Sequence, residues 1–196
     1  MNILLLTSPS RPRTSPLCDF LAVQGSLKVE TRKPRLWAPE APQWDLIISD
    51  GYRWIIPPDM LGAVRRPPIN IHLGNPQNRG VFPNFFCWLE DRAPGFMIHE
   101  MTNTIDNGRL YAAGWHQYKP KVLEDETLRT TWKDLWEYAF MRFRKSWVHI
   151  ERGVPLSNRI LAVHDKPHTM KEFRRWFSQC SKGWDTPVEE VRCLKI

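Results

Sequence analysis

The chain has 196 residues, 42% of them hydrophobic and 25% charged, with a formal net charge of +7. That length supports one well-buried domain and falls short of two ordinary ones, and the composition excludes a disordered or fibrous chain. No apolar run is long enough to cross a bilayer, and four cysteines without a C-x-x-C pair argue against a disulfide framework or a sulfur-ligated zinc site.

Residues 1–7 lack the charged flank of a secretory signal, so the apolar run at 3–7 is predicted as a first strand buried on both faces and the cytoplasm as the compartment. Ser15 and Pro16 supply an N-cap and a first-turn proline for a helix that runs to about residue 24, where Gly25 stops it. A second strand is predicted over 27–31, completing a β-α-β unit. Pro34, Pro39 and Pro42 then forbid regular structure and mark a surface crossing. Residues 45–49 are another apolar strand, ending at the Asp50-Gly51 turn signal, and a short helix starts near Pro57 and Pro58.

A third such strand falls at 69–72, a helix at 83–91, and strands at 96–101 and 110–118, with Asp106-Asn107-Gly108 turning the chain between the last two. From Thr127 onward, Trp132, Leu135, Trp136, Ala139, Phe140, Phe143 and Trp147 recur at helical spacing, giving a long amphipathic helix whose aromatic stripe is core or dimer interface. Thr169 and Glu172 form a capping-box pattern for a helix to about residue 179, and 188–194 is predicted as a closing strand. Strands alternating with helices give an α/β class: a mostly parallel, twisted sheet with helices on both faces and a small α+β C-terminal extension. Such sheets bind ligands at the carboxyl ends of their strands, which places a site just after Ser49 and around His72.

The basic residues are spread along the chain, so the charge suits a nucleotide diphosphate or another polyanion without singling out a nucleic acid. Lys171, Arg174 and Arg175 read as a solvated helix face. His164 and His168 have ligand-like spacing, but Pro167 breaks a helix there and no third ligand is near in sequence, so no metal is expected.

Three segments, in order over roughly residues 45–110, carry a more specific pattern. Asp45-Leu-Ile-Ile-Ser-Asp-Gly-Tyr-Arg-Trp-Ile-Ile-Pro57 resembles the strand and pterin-binding loop of the folate-dependent formyltransferases. Ile69-Asn70-Ile71-His72, followed by Arg79-Gly80 and Pro83, resembles that family's N-x-H strand and R-G-x-x-P loop, and Gly95-Phe-Met-Ile-His99 with Ile105-Asp106-Asn-Gly108 resembles its G-[VF]-T-I-H and D-x-G segment. Asn84, directly after Pro83, resembles the sugar N-formyltransferases more than the purine enzyme. The chain departs from the family after His72, where a shorter Leu-Gly-Asn-Pro-Gln-Asn loop lacks the usual serine, and before Asp45, where the N-terminal half looks trimmed.

The resemblance implies a Rossmann-related catalytic domain over 1–150, with 151–196 packed on it and not independent. It implies N10-formyltetrahydrofolate as co-substrate and the amino group of a nucleotide-linked sugar as acceptor. Glycinamide ribonucleotide, methionyl-tRNA, hydrolysis by water, or a non-catalytic basic binding module on the same fold are the alternatives. In such a transfer an amide that donates to the developing oxyanion is Asn70, an imidazole beside it is His72, and a carboxylate near that imidazole is Asp106. Ser49, Gly51, Tyr52, Trp54 and Ile105 are the implied folate contacts, although the rings of Tyr52 and Trp54 pack equally well as core. Arg79 and Asn84 are implied on the acceptor side, with Arg79 reading equally as a brace for its own loop. A homodimer is expected, and no membrane.

Overall fold

In the computed structural model, residues 1–10, 15–36, 44–115, 125–157 and 166–194 are described. Strand β1, Asn2–Thr7, alternates its apolar side chains between two cores. Ile3 and Leu5 enter one with Leu46 and Ile48, while Leu4 and Leu6 enter the other with Ile47 and Met60. This is why the run is apolar at consecutive positions: both faces of the strand are covered. Helix α1, Pro16–Gln24, starts at Ser15, whose Oγ accepts from the Cys18 amide at 3.3 Å, and ends at Gly25. A Cβ at Gly25 would lie 2.1 Å from the Met1 carbonyl oxygen, so only glycine lets the chain turn into β2, Ser26–Glu30.

β3, Leu46–Asp50, pairs with the far side of β1, and β4, Ile69–His72, follows the short helix α2, Pro58–Gly62. After α3, Pro83–Leu89, come β5, Gly95–Glu100, and β6, Leu110–Trp115. The six strands form one sheet in the order β2-β1-β3-β4-β5-β6. The pairings from β2 to β4 are parallel, and β5 and β6 add antiparallel. The sheet is thus mostly parallel, as expected, with an antiparallel edge. Residues 116–118 of the strand predicted over 110–118 lie outside the described residues.

Helix α4, Leu128–Lys145, buries Leu135, Ala139 and Phe143 against the β1 core, so the inner part of the aromatic stripe is core. The expected single long helix breaks at Ser146, whose Oγ donates to the Tyr111 carbonyl, and α5, Trp147–Arg152, continues beyond it. Helix α6, Met170–Phe177, has the predicted capping box at Thr169 and Glu172. The strand predicted over 188–194 is a helix: α7, Val188–Cys193. Pro187 precedes it, two glutamates occupy its first turn, and Val188 and Val191 bury one face against α3 and Phe173. Helical spacing of that apolar pair, acidic residues near the helix N-terminus and docking on α3 all favour the helix. The described part of the C-terminal extension is therefore helical where α+β was expected.

Candidate active site

The parallel strands end at Thr7, Asp50 and His72 along one edge of the sheet. On β4, Ile69 and Ile71 point into the apolar core, and the two-residue period sends Asn70 and His72 to the opposite face. Antiparallel pairing sets His99 of β5 directly across from Asn70, and on the other side of β5 the register with β6 shifts between Ile98 and His99. Shifts of this kind, as at β-bulges, re-aim side chains beside functional sites.

Asp106 completes the cluster from the turn after β5. Its backbone is left-handed, at φ 49°, a conformation that aspartate tolerates better than most residues. The Asn70 amide Nδ2 donates to Asp106 Oδ1 at 3.1 Å, and the Gly80 backbone N–H donates to Oδ2 at 3.0 Å. His72 Nδ1 stands 3.4 Å from Oδ2, and His99 Nε2 3.6 Å from Oδ1. Burial alone would raise the pKa of Asp106, but the neighbouring imidazoles, His72 first and His99 second, outweigh it and hold the carboxyl well below its usual range. Asp106 is therefore an anion at neutral pH, held by the Asn70 and Gly80 N–H groups and faced by two imidazoles.

The ring nitrogens are ordered by main-chain carbonyls. His99 Nδ1 lies 2.7 Å from the Glu100 carbonyl oxygen, so its hydrogen sits there and Nε2 offers a lone pair to the second Asn70 amide hydrogen at 3.3 Å. His72 Nε2 lies 3.1 Å from the Asn78 carbonyl, which assigns a hydrogen to Nε2 and turns Nδ1 toward Asp106. Asn70 thus has both amide hydrogens engaged within the cluster. Among the described residues the longer of the two, to His99, is the weaker tie.

The other expected site residues divide into groups. Ser49 is buried at the end of β3, beside Asp50, whose Oδ2 accepts from Trp136 Nε1 at 3.3 Å. Gly51 follows at φ 65°, and the Tyr52 hydroxyl donates to the Arg32 carbonyl. Trp54 lies between cations, with Lys33 Nζ 4.9 Å and the Arg53 guanidinium 4.7 Å from its ring, and its indole N–H is buried without an acceptor among the described residues. Ile105 exposes an apolar side chain next to Asp106.

Arg79 Nε donates to the Ile105 carbonyl at 2.9 Å, bracing the turn that carries Asp106. Asn84 is not brought to the cluster. It is buried in the seam between α3 and α4, its Nδ2 3.5 Å from Thr131 Oγ1. His164 lies outside the described residues, while His168 pairs with Glu90 at 3.1 Å, and no metal-like group of ligands occurs among the described residues.

Sequence reasoning assigned no role to His99, Asn78 or Gly80. His99 had a signal in the G-F-M-I-H run opposite the N-x-H strand. Asn78 and Gly80 act through a backbone carbonyl and a backbone N–H, which no side-chain pattern reports.

No family model matches the chain. Over 71 residues it is 34% identical to a dTDP-4-amino-4,6-dideoxyglucose formyltransferase of Mycobacterium tuberculosis, a match that covers 36% of this chain and spans only 30% of that relative's length. The fold is similar to that of the formyltransferase PseJ from Anoxybacillus kamchatkensis, solved with UDP-4,6-dideoxy-4-formamido-L-AltNAc and tetrahydrofolate, with a TM-score of 0.83 and 30% identity over 97% of both chains. A sugar N-formyltransferase from a Shewanella species shares the fold at a TM-score of 0.73 and 17% identity, over 98% of this chain and 86% of that one. With an alignment that runs nearly the full length of both chains at 30% identity, this chain belongs to the formyltransferase family.

Proposed function

We propose that the protein transfers a formyl group from N10-formyltetrahydrofolate to the amino group of a nucleotide-linked amino sugar. The observation that carries the reading is the convergence of Asn70, His72 and Asp106 on one face at the end of β4, with Asp106 held as an anion.

The residues after β3 suit the folate. Ser49 pairs within β3 near its end, Gly51 and Tyr52 carry main-chain groups just beyond it, Trp54 brings a buried N–H that lacks an acceptor among the described residues, and Ile105 adds an apolar contact. Bound there, formyltetrahydrofolate would supply the formyl carbon, and the chain's own groups would manage the charges. The amine attacks the formyl carbon, the bond from that carbon to N10 breaks, and one proton passes from the amine to N10. Asn70 meets the negative charge on the oxygen by releasing its weaker hydrogen bond to His99 and donating that N–H instead. Asp106 stabilises the positive charge growing on the amine and holds the water that carries the proton across. His72 keeps Asp106 ionised and aimed.

The acceptor class rests on the likeness to PseJ and on the net charge of +7, which suits a diphosphate. Residues 1–150 are taken as the catalytic unit, with 151–196 packed on it, and the working form as a cytoplasmic homodimer. Trp115, at the end of the edge strand β6, and Leu156, beside its start, are exposed apolar side chains along that edge. The test incubates the protein with N10-formyltetrahydrofolate and a panel of UDP- and dTDP-linked 4-amino-4,6-dideoxy sugars. The expected result, by mass spectrometry, is a formamido sugar and tetrahydrofolate in equal amounts. Folate binding without formylation of any amino sugar would overturn the acceptor assignment.

A further inference from the structure

The loop over 73–82, between β4 and α3, has no regular structure of its own, yet it delivers two main-chain groups to the cluster. The Asn78 carbonyl accepts from His72 Nε2, and the Gly80 N–H donates to Asp106. Main-chain groups are only as well placed as the loop that carries them, so whatever fixes this loop also sets the cluster. The C-terminal extension grips it at several points. His168 N donates to the Arg79 carbonyl at 2.8 Å, and Val81 N donates to the His168 carbonyl at 3.2 Å, forming a short parallel bridge with Gly80 at its centre. Phe82, left-handed at φ 46°, stacks on Phe173 of α6 at 3.9 Å.

The His168 side chain continues the connection. Its ring stacks on Phe86 at 3.6 Å with 3° between planes, and Nε2 meets Glu90 Oε1 at 3.1 Å. Glu90 Oε2 accepts from Asn78 Nδ2 at 2.7 Å, and the Cys87 thiol donates to Asn78 Oδ1 at 3.3 Å. Asn78 is wholly buried, so both ends of its amide are satisfied by these two partners and its carbonyl is aimed by them. One unbroken chain of contacts thus runs from His168 through Glu90 and Asn78 to His72 and Asp106.

We infer that His168 is a positioning residue for His72, acting through Glu90 and Asn78, so that the C-terminal extension is a working part of the site. The alternative, a staple that only adds stability, predicts something different. A staple lost is lost whether or not His72 is present, whereas a positioning contact loses its effect on rate once His72 is gone.

The test rests on the formyltransferase reading for its kinetic arm and is independent of it in its spectroscopic arm. In the kinetic arm, His168→Ala should lower kcat by about tenfold with KM for folate and sugar little changed, since misplacement of a reacting group acts on rate before affinity. His168→Gln, whose amide can still donate to Glu90, should recover most of that loss. In a His72→Ala background, His168→Ala should cost no further turnover. Equal loss with and without His72, or a change confined to KM, would overturn the inference. In the spectroscopic arm, the His72 ring N–H resonance, assigned in ¹⁵N-histidine-labelled protein by its absence from His72→Ala, should move or broaden in His168→Ala. An unchanged resonance would overturn the inference even if no sugar is ever formylated, and a shifted resonance in a protein without transferase activity would uphold the positioning while removing the proposed reaction.

Discussion

Asp106 takes an arrangement that a neutral side chain cannot reproduce, because two N–H donors hold its two oxygens and two imidazoles face them. Asp106→Asn keeps a residue that accepts the left-handed backbone while removing the charge. Turnover should fall by about 10²–10⁴-fold, the range for a group that handles a proton in the transition state, as read by formylation kinetics. The carboxyl also ties stability to pH. Its folded-state pKa lies below the unfolded value of about 3.9, so the unfolded chain binds more protons in that window. Its contribution is complete above about pH 4 and is lost as pH falls through the folded-state value. Thermal unfolding of the wild type should therefore worsen more steeply below about pH 4 than that of Asp106→Asn, and parallel curves for the two would show that the carboxyl is not held low. At this scale the sequence exposed the side chains of the cluster, since Asn70, His72 and Asp106 sit in motifs where residue type and spacing are the message. It could not expose the Asn78 carbonyl or the Gly80 N–H, because every residue except proline has both groups and only the path of the loop decides which ones matter.

The strands were readable because each carries its signal in consecutive apolar positions, and β1 and β3 have little choice about burial. The closing segment was not, since six residues are too few for a period of two to be told from one of 3.6, and docking of Val188 and Val191 on α3 settles the matter. Likewise the break at Ser146 lies within a stripe that runs on to Trp147, and the bond from its hydroxyl to Tyr111 on β6 is a tertiary event. The element on which most depends is the 79–81 bridge to His168. Gly80 sits at φ 92°, and a Cβ there would lie 2.4 Å from the His168 carbonyl oxygen. Gly80→Ala should cost more than about 1 kcal/mol in chemical denaturation, because both the backbone angle and the bridge must yield. It should also lower turnover at temperatures where the variant remains folded, since the displaced N–H is the one that Asp106 accepts. Wild-type turnover in a destabilised Gly80→Ala protein would mean that this hydrogen bond has no part in the reaction.

Over the whole molecule, the sheet edge, the loop after β3 and the turn after β5 meet where a folded chain can bind what an unfolded one cannot. Ser49 and Gly51 lie at one strand end and Ile105 lies in a distant turn, which the Arg79 brace to the Ile105 carbonyl ties to the loop after β4. If the proposed folate site lies between them, the ligand binds only the native state and should raise stability by mass action, about 2.7 kcal/mol at a ligand concentration of 100 times Kd. The stable 5-formyl isomer of the co-substrate is the ligand of choice, because it cannot be consumed during the measurement. Its addition should raise Tm in proportion to the logarithm of concentration, and on the proposed roles Asp106→Asn should keep most of that rise while losing turnover. Trp54→Ala should show the opposite pattern, a smaller rise at the same ligand concentration. If saturating folate leaves Tm unchanged in the wild type, the loop after β3 is not a folate site, and the cluster around Asp106 must serve some other carbonyl.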